Sequence, residues 1–230
     1  MEIITREYKV YNYSELSAKA KEKVKQWYLD DELRPQEFED IYTRDLHCFF
    51  GNSDLKIQFS LAGCQGDGLN IYGKLDLLDV FDALKSMNYC DGIFKQYATL
   101  FSTHEQDTIR AYTEVCGRKI ELPYNRQYCY CIAGKVDFTA EWIDTLEYCN
   151  YKNIQVDTIR KMEVLVAGIF TDLAAAYEKY GYDYLYNVED EEINDMCEAN
   201  DWKFLEDGTF FENKPENNRC VIFKKWRKNK

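Results

Sequence analysis

The chain has 230 residues, 46% apolar and 30% charged, which is enough for a sizeable core and far from the composition of a disordered segment. Its formal net charge is −12 and its pI about 4.8. This excludes a surface built mainly to hold nucleic-acid phosphates, since that affinity comes from basic groups releasing condensed counterions. An acidic surface suits a basic partner, or simply keeps the chain soluble. Nine cysteines, odd in number and irregularly spaced, follow a start (MEIITREYKVYNY) without an apolar run. Together they predict a reducing, cytoplasmic setting rather than a disulfide scaffold. The 19 tyrosines suit half-buried sheet faces and contact surfaces.

In chain order, residues 3–13 are rich in Ile, Val and Tyr and predict a first strand, a candidate to pair with the later sheet. Ser14 and Ser17 are alternative caps for a helix over 18–29. There Ala20, Val24, Trp27 and Tyr28 form a stripe, with Lys19, Lys21, Lys23 and Lys25 largely outside it. Pro35 in a first turn, then Phe38, Ile41, Tyr42, Leu46 and Phe49, predict a second helix closed at Gly51-Asn52. Two alternating apolar runs follow, Leu55, Ile57, Phe59 and Leu61, then Leu69 and Ile71. They flank a loop carrying Gly63, Gly66 and Gly68 and predict a β-hairpin at the centre of the fold.

Leu77, Phe81 and Leu84 mark a short helix over 77–85. Residues 108–116 and 127–138 read as further strands, the second with Tyr128, Tyr130 and Ile132 on one face and Cys129 and Cys131 on the other. Thr139 reads as the cap of a helix containing Trp142, Ile143, Leu146 and Cys149. The longest helix is predicted over 156–180, stopped by Gly181.

Residues 183–213 change character, with Glu189, Asp190, Glu191, Glu192, Asp195, Glu198, Asp201, Glu206, Asp207 and Glu212 set against Lys203 alone. A short acidic helix over 188–199, with Asn187 as cap and Ile193, Met196 and Cys197 inward, precedes a hairpin turning at Asp207-Gly208. Residues 214–230 reverse sign, with Lys224, Lys225, Arg227, Lys228 and Lys230 around Trp226. The expected architecture is a single α+β domain over 1–213, followed by a basic tail. Its antiparallel sheet is built on the central QGDG hairpin and covered by helices from both ends of the chain.

Two stretches are candidates for function. In Cys64-Gln65-Gly66-Asp67-Gly68 a thiol and a carboxylate sit in a glycine-framed loop, open to three readings: a nucleophile with a general base, a binding loop, or a structural turn. No histidine motif accompanies Cys64 to generate a thiolate, and the loop lacks the Lys-Ser/Thr ending of a phosphate-binding loop. The second candidate is the acidic set Glu189, Asp190, Glu191, Glu192, Asp195 and Asp207 with Trp202 as an aromatic anchor. These carboxylates can imitate the charge of a nucleic-acid backbone in a basic groove, or form a solvated helix face. With no CxxC pair, and with His47 and His104 outside any ligand motif, neither a metal nor a cofactor is expected.

Three patterns in order, YNYSELSAKAKEKVKQWY, FSLAGCQGDGLNIYG and AAAYEKYGYDYLYNVEDEEINDMCEANDWKFLEDGTFFE, resemble a family of small bacteriophage and prophage proteins without an agreed activity. The resemblance covers most of the chain and passes over residues 88–153. It implies phage origin and a host bacterial cytoplasm more firmly than it implies a reaction. The expected function is that of an accessory protein acting by stoichiometric binding. Its target is a host protein or ribonucleoprotein of a nucleic-acid-acting defence system, engaged as an anti-CRISPR protein would engage it. The alternatives are an enzyme acting through Cys64 and Asp67, and a regulator that holds nucleic acid with its basic tail.

Overall fold

The computed structural model describes residues 7–64, 66–85, 94–124 and 136–212. In chain order the elements are α1 (Ala18–Leu29), α2 (Arg34–Phe49), β1 (Asp54–Ser60), β2 (Gly68–Asp76), α3 (Leu77–Lys85) and α4 (Thr103–Cys116). Then come β3 (Lys119–Leu122), α5 (Thr139–Tyr148), α6 (Val156–Tyr186) and α7 (Asp190–Ala199). This is the α+β class, with an antiparallel sheet in the order β1-β2-β3. The described residues gather into two compact units, a larger one over Glu32–Tyr186 and a smaller one from the described parts of Met1–Asp31 and Asn187–Lys230. The predicted strand over 127–138 lies largely outside the described residues, and the basic tail wholly outside them.

The larger unit is built on the predicted hairpin. β1 and β2 pair with Ile57 opposite Ile71 and Phe59 opposite Leu69, and β3 adds to β2 with Ile120 opposite Leu75. Because side chains alternate along a strand, this register puts Leu55, Ile57, Leu69, Ile71 and Leu75 on one face, and all five are buried. α2 packs on β1 and α6 on β2, bringing Phe38, Leu46, Phe50, Phe170 and Leu173 into the same core. Burying one such side chain fully is worth roughly 1.5–3 kcal/mol.

Three expectations for this unit are corrected. Residues 108–116 are helix rather than strand, as part of α4. Thr108, Thr113 and Val115 suggest a strand, but Ser102 and Glu105 form a capping box: Glu105 N–H donates to Ser102 Oγ (3.3 Å) and Ser102 N–H to Glu105 Oε2 (2.8 Å). The buried residues Ile109, Tyr112 and Thr113 then follow helical rather than strand spacing. Second, Gly181 does not stop α6, which runs through to Tyr186. The glycine is there because a Cβ would collide with Leu61 Cδ1 and stand 2.8 Å from Phe38 Cζ.

Third, Thr139 is the first residue of α5 rather than its cap. The free amides at this helix start are taken by Glu163 of α6, whose Oε1 accepts from Phe138 N–H (2.6 Å) and Thr139 N–H (2.5 Å). Glu163→Ala leaves both donors without this acceptor. It is expected to lower stability by about 1–2 kcal/mol, measured as a shift in the urea midpoint at unchanged slope.

The smaller unit has its own core of Tyr13, Leu16, Ala20, Val24, Val188, Ile193, Cys197 and Phe204. Ser17 caps α1 by accepting from Ala20 N–H (3.2 Å), while Ser14 lies in a 3-10 turn just before it. Among described residues 7–12 there is no strand. Of these only Tyr11 pairs, by reciprocal backbone bonds with Phe204, so the described part of the first strand expected over 3–13 is not a strand of the sheet. The Asp207-Gly208 turn closes a minimal hairpin in which Phe204 bridges to Phe210. Gly208 has φ +83° and lies against the Ala20 carbonyl, two conditions that only glycine meets without strain.

Candidate functional site

The smaller unit presents α7. Ile193 and Cys197, one turn apart, are buried, and Glu189, Asp190, Glu191, Glu192, Asp195 and Glu198 are exposed. Acidic residues in a first turn are favoured by the helix dipole, which explains why so charged a segment folds as a helix. The N-terminal cap is Glu189 rather than Asn187, with no side-chain cap bond. Among the described residues no ion pair reaches Glu189, Glu191, Glu192 or Asp195.

Asp207, outside the helix, and the aromatic anchor Trp202 do internal work. Asp207 pairs with Lys23 Nζ at 2.8 Å and accepts from Thr209 N–H at 2.9 Å. Lys23 and these turn bonds hold its carboxyl well below the usual carboxylate range. Trp202 is half-buried, with its ring edge-on to Trp27 at 5.3 Å, while Phe210 stacks on Trp27 at 4.9 Å. Trp27 lies on the α1 stripe and Lys23 beside it, and their partners lie far along the chain, beyond any local signal.

In the larger unit the glycine-rich loop is held from within by Asp67, which is 7% exposed. Its Oδ1 accepts from Ser60 Oγ (3.0 Å) and from the Cys64 thiol (3.2 Å). Its Oδ2 accepts from Cys64 N–H (2.9 Å) and from Tyr182 OH (2.8 Å). Tyr186 OH donates to the Leu61 carbonyl, so the last turns of α6 hold the loop at two points. Gln65 lies outside the described residues, while Gly66 has φ +112° and Gly68 opens β2.

The electrostatics follow from these bonds. Burial alone would raise the Asp67 carboxyl, but the hydrogen bonds from Tyr182 and Cys64 outweigh it and hold the group well below its ordinary range. The same carboxylate raises the Cys64 thiol and pushes Tyr182 up to about 12. Glu178, one turn before Tyr182, is raised by burial and by Asp67. A thiol raised in this way is a poor nucleophile at neutral pH.

Asp67 holds fewer protons in the folded than in the unfolded chain, and so does Glu105, whose carboxyl is lowered to about 2 by Lys161 and the Ser102 amide. Both contribute stability above ordinary carboxylate values, and this stability is lost as pH falls through the depressed folded ones. Urea midpoints are therefore expected to drop as pH is lowered from about 4.5 towards 2. Asp67→Asn should lower the midpoint at neutral pH and flatten this acid-side slope.

No described helix is long and apolar enough to cross a membrane. Among the described residues no three His, Cys, Asp or Glu side chains are placed to hold a metal ion. No family model, curated protein or solved structure matches the chain.

Proposed function

We propose that the chain is a phage accessory protein that acts by stoichiometric binding in the host cytoplasm. Its acidic helix α7 enters the basic nucleic-acid groove of a host defence protein or ribonucleoprotein, as an anti-CRISPR inhibitor does. The observation that carries this reading is the unneutralised row on α7, fixed from behind by Ile193 and Cys197. Glu191, Glu192, Asp195 and Glu198 fall within about 10 Å of helix axis at a rise of ~1.5 Å per residue. That charge density is close to one strand of duplex DNA, with one phosphate per ~3.4 Å. The phage setting rests on the resemblance of the three sequence patterns.

What supports binding over catalysis is the role of the glycine-rich loop, where Asp67 is committed to four bonds and Cys64 is raised by it. The test is competition. The intact protein is used to capture its target from host lysate, and short duplex DNA or RNA is then titrated onto the complex. A groove competitor is displaced by the nucleic acid, and a Cys64→Ala/Asp67→Asn variant that remains folded still captures the target. Retention of the target together with bound nucleic acid, or loss of capture on changing only the loop, contradicts the reading.

A further inference from the structure

Successive turns of α2 place Arg34, Phe38 and Tyr42 along the face that meets Tyr184, Tyr180 and Tyr177 of α6. At one end this row holds a cation of its own. The Arg34 guanidinium lies 4.6 Å from the Tyr184 ring centroid and donates to the Tyr184 carbonyl, and Tyr184 OH donates to Glu37 Oε2 (3.1 Å). At the other end similar parts recur. Tyr42 and Tyr180 have ring centroids 6.5 Å apart and planes 11° from parallel, and Tyr177 OH donates to Asp45 Oδ2 (2.9 Å). Among the described residues no Lys or Arg lies over either ring, and no ion pair reaches Asp45. Burial, Asp45, Tyr180 and Asp183 push the Tyr42 hydroxyl up to about 12, so negative charge gathers at this ring. Tyr180 is 51% exposed and Ile41, next to Tyr42, is 43% exposed.

We propose that Tyr42 and Tyr180, with Asp45, form a site for the arginine side chain of a basic protein partner. A guanidinium is flat, weakly hydrated and always charged, so it stacks on tyrosine faces while its edge donates to a carboxylate; a lysine ammonium is a hydrated point charge. Laid against this pair it comes within ~6 Å of both centroids, the range of cation–π attraction. Ile41 offers apolar surface to its methylene stem. The net charge of −12 favours such a partner. The site lies wholly in the larger unit and does not depend on the reading of α7.

The test is NMR of the intact protein titrated with a capped glycyl-arginyl-glycine peptide and with its citrulline counterpart, which has the same shape and no charge. The arginine peptide should shift the Tyr42 and Tyr180 ring resonances saturably, with its own δ-methylene protons moved upfield by the rings, and the citrulline peptide should do neither at the same concentration. Tyr180→Leu should weaken arginine binding about fivefold, and Tyr180→Phe, which keeps the ring, should retain it. Glu191→Gln/Glu192→Gln on α7 should leave it unchanged. Absence of a saturable shift, equal shifts from the two peptides, or arginine binding that survives Tyr180→Leu or falls with the α7 charges would overturn the assignment.

Discussion

Replacing Gly181 with leucine is expected to destabilise the larger unit by about 3 kcal/mol, the upper range for overpacking a filled core. Glycine within a helix is ordinarily a weak point, and alanine there gains up to ~1 kcal/mol. Here the gain is opposed by contact. A Cβ at this position meets Leu61 Cδ1 and lies 2.8 Å from Phe38 Cζ, and both neighbours are buried, at 5% and 0% exposure. They cannot swing into solvent without exposing apolar surface.

The same displacement pulls on the loop, because Tyr182 and Tyr186, just after Gly181 in α6, bond to Asp67 and the Leu61 carbonyl. Urea unfolding of Gly181→Leu should show a lowered midpoint, with faster amide exchange at Cys64. An unchanged midpoint would mean that α6 and β1 have slack between them.

Phe204→Ala is expected to cost the smaller unit about 3–5 kcal/mol, in the range for deleting a buried phenyl ring. Phe204 is fully buried, with ring centroids of Trp27 at 6.0 Å and Phe210 at 5.9 Å. Its backbone exchanges both hydrogen bonds with Tyr11, at 2.8 and 3.0 Å. The cavity would open beside the core that also seats Ile193 and Cys197, so α7 loses support along with the hairpin. Near-UV circular dichroism should lose the coupled Trp27 and Trp202 signal, and the Tyr11 and Phe204 amides should lose exchange protection. Native protection in the variant would show that the hairpin does not hold this unit together.

The elements legible in the sequence were those with strong local periodicity and local caps. The helix over 18–29, the hairpin around 62–67 and the helix over 77–85 stand where periods of 3.6 and 2 place them. Two physical sources account for the differences, a local cap upstream of the segment and contacts made by distant residues. Residues 108–116 carry β-branched side chains, yet a capping box and a helical apolar face decide in favour of helix. Gly181 reads as a helix stop only until Leu61 and Phe38 are known to press on it.

At the candidate sites the same division holds. The acidic row of α7 and the glycine loop are visible as composition and as turn chemistry. What Asp67 does with its carboxylate depends on Tyr182, and what Asp207 does depends on Lys23, partners that only the fold brings near. Trp202 likewise reads as an aromatic anchor or a core residue, and its neighbours Trp27 and Phe210 come from the fold.

The most direct measurement is capture of the host target by the intact protein and by a Glu189→Gln/Asp190→Asn/Glu191→Gln/Glu192→Gln variant, with far-UV circular dichroism confirming that α7 persists. The acidic-helix account predicts that a nucleic-acid-binding protein or ribonucleoprotein is recovered by the first. Its affinity for the variant should fall by about a hundredfold, the ~3 kcal/mol expected from losing several charge contacts in one groove. Recovery of the same target at undiminished affinity by the neutralised variant would contradict it.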